Sequence, residues 1–215
     1  SITYRCGKAI VALAKATVPD YEAAPSAPDG LVRSVSEDML RNEATPGDFV
    51  ISRKNAPLID LALGFISAGK PATIAGRDIG AGLLALVNAS KAVETAALVA
   101  YAEEWCRTEC ERLAARKLDT QPAEDRASCI IALCEGAADV AEVRARITAL
   151  FSDTDDTRRI VCTSTHKAKG LERDRCWILT ETYSSANIEE RNLWYVAITR
   201  AKSELCLVSS QVGQK

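Results

Sequence analysis

The chain is expected to fold as an α/β domain organised around a parallel sheet. Three observations lead there. Short β-prone runs (Phe49, Val50 and Ile51; Ile160, Val161 and Cys162; Cys176, Trp177, Ile178 and Leu179) read as buried strands. Between and around them lie segments with helical periodicity. The strands also empty into polar loops rich in hydroxyls and cations, which is the pattern of ligand-binding edges in open α/β sheets.

Taken in order, 7–17 reads as a helix whose apolar face is Ile10, Val11, Leu13 and Ala14. Residues 19–30, rich in Pro, Ala and Asp, read as a loop. A strand over 31–35 and a short helix over 36–42, capped by Ser36, follow. The strand at 49–51 runs into Ser52, Arg53, Lys54 and Asn55. Asn55 is placed to cap a helix that has Pro57 in its first turn. Gly69 stops that helix and Pro71 prevents its continuation, ahead of a strand over 72–75. Gly64, Gly69 and Lys70 mimic the start of a phosphate-binding G-x-x-x-x-G-K-[ST] loop. Pro71 stands where the hydroxyl belongs, and these residues end a helix rather than open one, so no nucleotide-phosphate cradle is expected.

Beyond Leu83 the texture turns Ala-rich and helical, with helices expected over 83–87, 93–110, 125–135 and 140–151 and an acidic turn over 152–156. This segment divides two α/β parts. The expected organisation is 1–81 as the first part of the sheet domain, 82–156 as a helical insertion and 157–215 as the second part; ordinary packing of those helices on the sheet is the alternative. A last strand is expected over 205–208.

Composition sets outer limits. The 215 residues are 47% hydrophobic and 26% charged, as in a soluble globular protein. A net charge of −2 means that any nucleic-acid contact must come from a local basic patch. No apolar run approaches a membrane span. The eight cysteines are scattered through apolar runs, which favours reduced core thiols and a cytoplasmic location over a disulfide framework. The pairs Cys106/Cys110 and Cys129/Cys134 lack the spacing of a ribbon or knuckle, so no metal site is expected.

Two stretches carry the chemistry. From Arg158 to Arg175, six cations face two carboxylates, and the loop within holds Thr163, Ser164, Thr165, the single histidine His166, Lys167, Lys169, Gly170 and Glu172. In the second stretch Asn187 and Glu190 have capping-box spacing, and Glu189 and Glu190 suit a helix start. Arg200 extends the face of Leu193 and Val196. On spacing alone, Arg200 is either a snorkelling surface arginine or one that meets a partner. Trp194 reads mainly as core packing, with base stacking as the minor reading.

The runs Thr-His-Lys-Ala-Lys-Gly-Leu-Glu (165–172) and Glu-Glu-Arg-Asn-Leu-Trp-Tyr-Val-Ala-Ile-Thr-Arg-Ala (189–201) resemble two late motifs of the UvrD/Rep/PcrA-like superfamily 1 DNA helicases. The resemblance extends over essentially the whole chain as the second, C-terminal RecA-like (2A) domain, a three-layer P-loop-NTPase-type fold with a reduced insertion. It implies that Tyr4 stacks on adenine and that Arg5 and Arg200 reach the γ-phosphate as catalytic groups. Glu172 binds the ribose, and Gly170 lies in the same nucleotide-contacting stretch. Arg53, Asn55, Thr165, His166 and Lys167 contact single-stranded DNA.

The implied cofactor is ATP with Mg2+, held mainly by a first RecA-like domain absent from this sequence. The implied partners are that domain and single-stranded or duplex-junction DNA, with 3′-to-5′ movement. Neither a membrane nor a specific protein partner is expected. Without a P-loop, this half alone should hydrolyse nothing. The alternative is a non-catalytic adaptor descended from such a half, which would have no need of Tyr4, Arg5, Glu172 and Arg200 together. A metal-dependent nuclease partner lacks the required carboxylate/histidine cluster.

Overall fold

The computed structural model describes residues 2–152, 156–185 and 187–210. Its strands are β1 (Ile2–Thr3), β2 (Glu22–Ala23), β3 (Leu31–Val35), β4 (Phe49–Ser52), β5 (Ala72–Ala75), β6 (Phe151–Ser152), β7 (Ile160–Ser164), β8 (Arg173–Leu179) and β9 (Ala201–Val208). Its helices are α1 (Lys8–Ala14), α2 (Glu37–Glu43), α3 (Ala56–Ser67), α4 (Arg77–Ser90), α5 (Thr95–Ala115), α6 (Gln121–Cys134), α7 (Val140–Leu150) and α8 (Ile188–Ile198). Seven strands form one parallel sheet in the order β3-β9-β8-β4-β7-β5-β6, and β1 and β2 pair beside it.

Strand alternation builds two cores. Phe49 and Ile51, Val161, Cys176 and Ile178, and Leu205 face α1 and α8. Val50, Cys162, Trp177, and Cys206 and Val208 face the larger helical layer. The result is the expected three-layer α/β arrangement with a parallel sheet. Trp177 is fully buried, and its indole N–H donates to Asp48 Oδ2 at 3.0 Å. Leaving that donor unpaired would cost roughly 1–3 kcal/mol. Arg175 and the backbone N–H of Thr45 also bond Asp48 Oδ2, so the acid is neutralised where it is buried.

Several local expectations are corrected. The helix expected from Leu83 begins at Arg77, and its first turns are disguised by Gly80 and Gly82. Gly80 is there for contact: a Cβ would stand 2.7 Å from the Phe151 Cβ. Phe151 and Ser152 form an edge strand beside β5 rather than ending a helix or opening the acidic turn; 153–155 lie outside the described residues. The 19–30 loop contains β2. The first helix is shorter than expected, ending at Ala14. Residues 77–150 share one continuous core with the sheet: α6 lies against α3, and α7 against α4 and β5.

The false phosphate loop behaves as a stop. Gly69 takes φ +76, a conformation suited to glycine. The Lys70 ammonium is turned back onto the carbonyls of Arg41, Asn42 and Ala44 at the end of α2. A cation there complements the negative pole of the helix.

Candidate nucleotide and nucleic-acid interfaces

The motif spanning 163–172 crosses the molecule. β7 ends at Ser164 and β8 begins at Arg173, so only eight residues, 165–172, return the chain from one edge of the sheet to the other. Parallel crossovers usually take a dozen residues or more. The short path is held by Ala168, which is fully buried, and by Leu171 packed against the same core. The two ends of one motif therefore face two different places.

At the N-terminal edge, Arg173 N–H donates to the Arg200 carbonyl at 3.0 Å, which sets Glu172 and Arg200 side by side at the starts of β8 and β9. The N-terminal segment docks beside them. Gly7 N–H donates to the Lys202 carbonyl at 2.8 Å, and the Cys6 thiol to the Thr199 carbonyl at 3.6 Å. The tight approach needs glycine, since a Cβ on Gly7 would stand 2.7 Å from the Gly30 Cα. Arg5 Nε then lies 2.5 Å from Glu172 Oε2, and Lys202 Nζ is 3.4 Å from Oε1. Tyr4 is 82% exposed, an aromatic ring with nothing over it.

Arg200 is half-buried. Its guanidinium donates to the Val196 carbonyl (2.9 Å) and the Leu171 carbonyl (3.1 Å). Burial, and then the charge of Arg5, lower its pKa from the usual arginine value. Three cations, Arg5, Arg200 and Lys202, and one carboxylate, Glu172, thus share this corner. The Arg5–Glu172 side chains are about two-fifths exposed, so their pairing contributes only about 0–1 kcal/mol and is easily exchanged for another partner. Gly170, at φ +85 with open space around it, turns the chain toward Glu172.

The C-terminal edge is built differently. α3 follows β4 on one face of the sheet, whereas the 165–172 crossover follows β7 on the other. The adjacent ends of β4 and β7 are therefore a topological switch point, where open α/β sheets form ligand crevices. Thr165 N–H donates to the Ser52 carbonyl across it at 3.0 Å. His166 and Lys167 are exposed on this edge. Lys167 reaches Asp78 at 2.7 Å. The His166 pKa is lowered, first by burial and then by the charges of Arg53 and Lys169. Arg53 donates to Glu190 Oε1 of α8 at 2.9 Å.

Two residues sit otherwise than expected. Thr165 is fully buried, with its hydroxyl 2.5 Å from that of Tyr183, so it presents no side-chain oxygen at the surface. Asn55 holds the N-cap position of α3 but makes no side-chain cap. Asp125 of α6 supplies that cap instead, accepting from Asn55 N–H (2.8 Å), Asn55 Nδ2 (2.7 Å) and Ala56 N–H (3.2 Å). By contrast, Asn187 caps α8 as its spacing indicated, accepting from Glu190 N–H.

Lys202, Asp125, Tyr183 and Glu190 shape these places without having been singled out as site residues. Lys202, two residues past Arg200 at the start of a strand, and Glu190, in the capping box of the second motif, had a local signal. Trp194 meets Tyr183 edge-on at 5.3 Å between ring centroids and is only partly buried. Among the described residues, no group of three or more His, Cys, Asp or Glu side chains is gathered as a metal site. The Cys106 and Cys110 sulfurs lie 3.8 Å apart on α5.

The family model of the UvrD-like helicase C-terminal domain matches residues 159–208, a span that contains both motifs and the strands between and after them. Over that span the chain is similar to a UvrD-like helicase C-terminal domain. The resemblance read from residues 165–172 and 189–201 is thereby borne out, and the chain carries a helicase-related domain. Among solved structures, the C-terminal domain of a possible DNA helicase from Lactobacillus plantarum WCFS1 resembles it, at 15% identity over 96% of this chain and 87% of that one, with a TM-score of 0.31. No curated protein matches.

Proposed function

We propose that this helicase-related chain is the C-terminal motor half of an ATP-dependent DNA helicase or translocase. In this reading Arg5 and Arg200 serve as arginine fingers to an ATP·Mg2+ held by an N-terminal RecA-like domain. Tyr4 stacks on the adenine, Glu172 takes the ribose and Gly170 lends the turn that presents it. The observation that carries the reading is the convergence of Arg5, Glu172 and Arg200 at one corner, beside the exposed ring of Tyr4.

Phosphoryl transfer asks little covalent chemistry of a protein; it asks for positive charge around the transferring group. Guanidinium groups placed on a separate body provide that charge only when the two bodies close, which couples hydrolysis to movement. Single-stranded DNA is read along the C-terminal edge by His166, Lys167 and Arg53. Asn55 and Thr165 support that edge from beneath, Asn55 through Asp125 and Thr165 through Tyr183. The segment 82–156 is read as a helical insertion laid down as part of the helical layer, and the protein as cytoplasmic.

The test is reconstitution. Joined to an N-terminal RecA-like domain bearing a P-loop, the chain should show DNA-stimulated ATPase activity, whereas alone it should turn over no ATP. DNA binding with no ATPase in the joined form would favour the adaptor reading.

A further inference from the structure

Glu172 has a cation on each of its oxygens. Arg5 Nε lies 2.5 Å from Oε2, and Lys202 Nζ lies 3.4 Å from Oε1. We propose that Lys202 is a positioning residue for the nucleotide corner, holding Glu172 in its ribose-binding orientation when Arg5 leaves for the γ-phosphate. The proposal rests on the roles given above to Arg5 and Glu172, and adds a residue to which the motifs assign no part.

Arg5 cannot serve two partners at once. A guanidinium that reaches a phosphate on a neighbouring body gives up its contact with Glu172. The carboxylate is about two-fifths exposed and sits on a rotamer-rich side chain, so an unheld Glu172 would have to be ordered again by the ribose itself. A second cation on the other oxygen removes that cost.

The fold fastens the two cations unequally. Arg5 lies between β1 and α1, outside the seven-stranded sheet. Lys202 lies in β9, which has β3 on one side and β8 on the other. Strand pairing therefore fixes Lys202, and its carbonyl in turn anchors the Arg5 segment by accepting from Gly7 N–H at 2.8 Å. The register is also irregular at this point. Arg173 pairs with Ala201 and Arg175 with Glu204, so β9 carries an extra residue at Lys202 and Ser203. Bulges of this kind re-aim side chains and recur beside functional sites. Here the bulge stands next to Glu172, the residue before β8, and Lys202 is the cation that meets it.

The experiment measures equilibrium nucleotide affinity in the joined protein with Mg2+. The probes are the β,γ-imido analogue of ATP, ADP, and the 2′,3′-dideoxyribose form of each. The ratio of affinities for the ribose and dideoxyribose forms is the ribose preference. In the unmodified protein it should be about 10-fold or more, the worth of a hydrogen bond to a charged group. Lys202→Ala should cut that preference roughly 2- to 5-fold for the ATP analogue, as for one exposed ion pair. For ADP, which has no γ-phosphate to draw Arg5 away, it should stay nearly unchanged. Lys202→Arg should restore it. Should the alanine variant melt early, Lys202→Met keeps the apolar stem and carries the same test.

Equal loss of the preference with both nucleotides would make Lys202 a static neighbour of Glu172. No loss with either would remove it from the corner. Each outcome overturns the proposal while the preference itself upholds Glu172 as the ribose acceptor. No ribose preference in the unmodified protein would overturn that role for Glu172, and the proposal with it.

Discussion

The two edges of the sheet carry opposite kinds of site. At the N-terminal edge of β8 and β9, Arg5, Arg200, Lys202 and Glu172 form a compact charged corner with an exposed aromatic ring beside it. At the C-terminal edge of β4 and β7, a crevice at the topological switch point is ringed by separate cations, each tied to its own carboxylate: Arg53 to Glu190, Lys167 to Asp78. The first arrangement can complete a site but cannot make one. The second can bind a ligand by itself, and its ion pairs hold side chains in place until a polyanion competes for them. What joins them is the short 165–172 crossover, whose ends reach both edges.

The sharpest way to separate the edges is Arg200→Ala in the joined protein. If Arg200 is an arginine finger, ATP turnover should fall by about 10³-fold or more while DNA affinity stays within a few-fold. Turnover assays and strand binding on one preparation check it. Because Arg200 also satisfies the Leu171 and Val196 carbonyls, a melting curve is needed alongside. Parallel loss of activity, binding and melting temperature would mean that Arg200 holds the corner together and is no finger.

How much of this was legible in the sequence follows from range. Asn187 and its α8, the buried strands and the order of the two motifs are local patterns, set by neighbours within a few residues. Thr165 looked like a surface hydroxyl because its partner, Tyr183, is 18 residues away. The Asn55 cap failed because Asp125, 70 residues on, outcompetes a neutral amide for the positive helix start. α4 was read short because Gly80 and Gly82 carry poor helix propensity, whereas the close packing of Gly80 on Phe151 is tertiary. Nor could periodicity reveal that 77–150 would share the sheet's core.

Asp125→Ala tests whether the helical layer supports the C-terminal edge alone. Losing the cap should destabilise the chain by about 0.5–2 kcal/mol, read by chemical unfolding. Strand affinity should fall, as Asn55 loses its anchor, while the nucleotide corner is untouched. Unchanged strand affinity at the same stability loss would confine Asp125 to capping.

Lys167→Ala should act more gently. Removing one phosphate contact should weaken single-strand binding several-fold and lower the slope of log affinity against log salt by about 0.7. An unchanged slope would place Lys167 off the strand path and leave its pairing with Asp78 as its whole role.

The smallest effect concerns the one histidine, and it follows from the cations gathered at the C-terminal edge. Burial and the charges of Arg53 and Lys169 lower the His166 pKa below its ordinary 6.5. The shift favours the neutral ring, a hydrogen-bonding group, over the cation. The linkage has a definite sign. Between the folded and unfolded pKa values the unfolded chain binds more protons, so stability from this group is full above the unfolded value and is lost as pH falls through that window. A polyanion laid along the edge leaves the burial in place but screens Arg53 and Lys169 and adds negative charge beside the ring, so the pKa should rise when a single strand binds. With a single histidine in the chain, its ring-proton resonance can be followed without ambiguity through a pH titration, free and with oligonucleotide. A pKa that does not move upward on binding would mean that the strand passes elsewhere, and the contrast between the two edges would lose its nucleic-acid half.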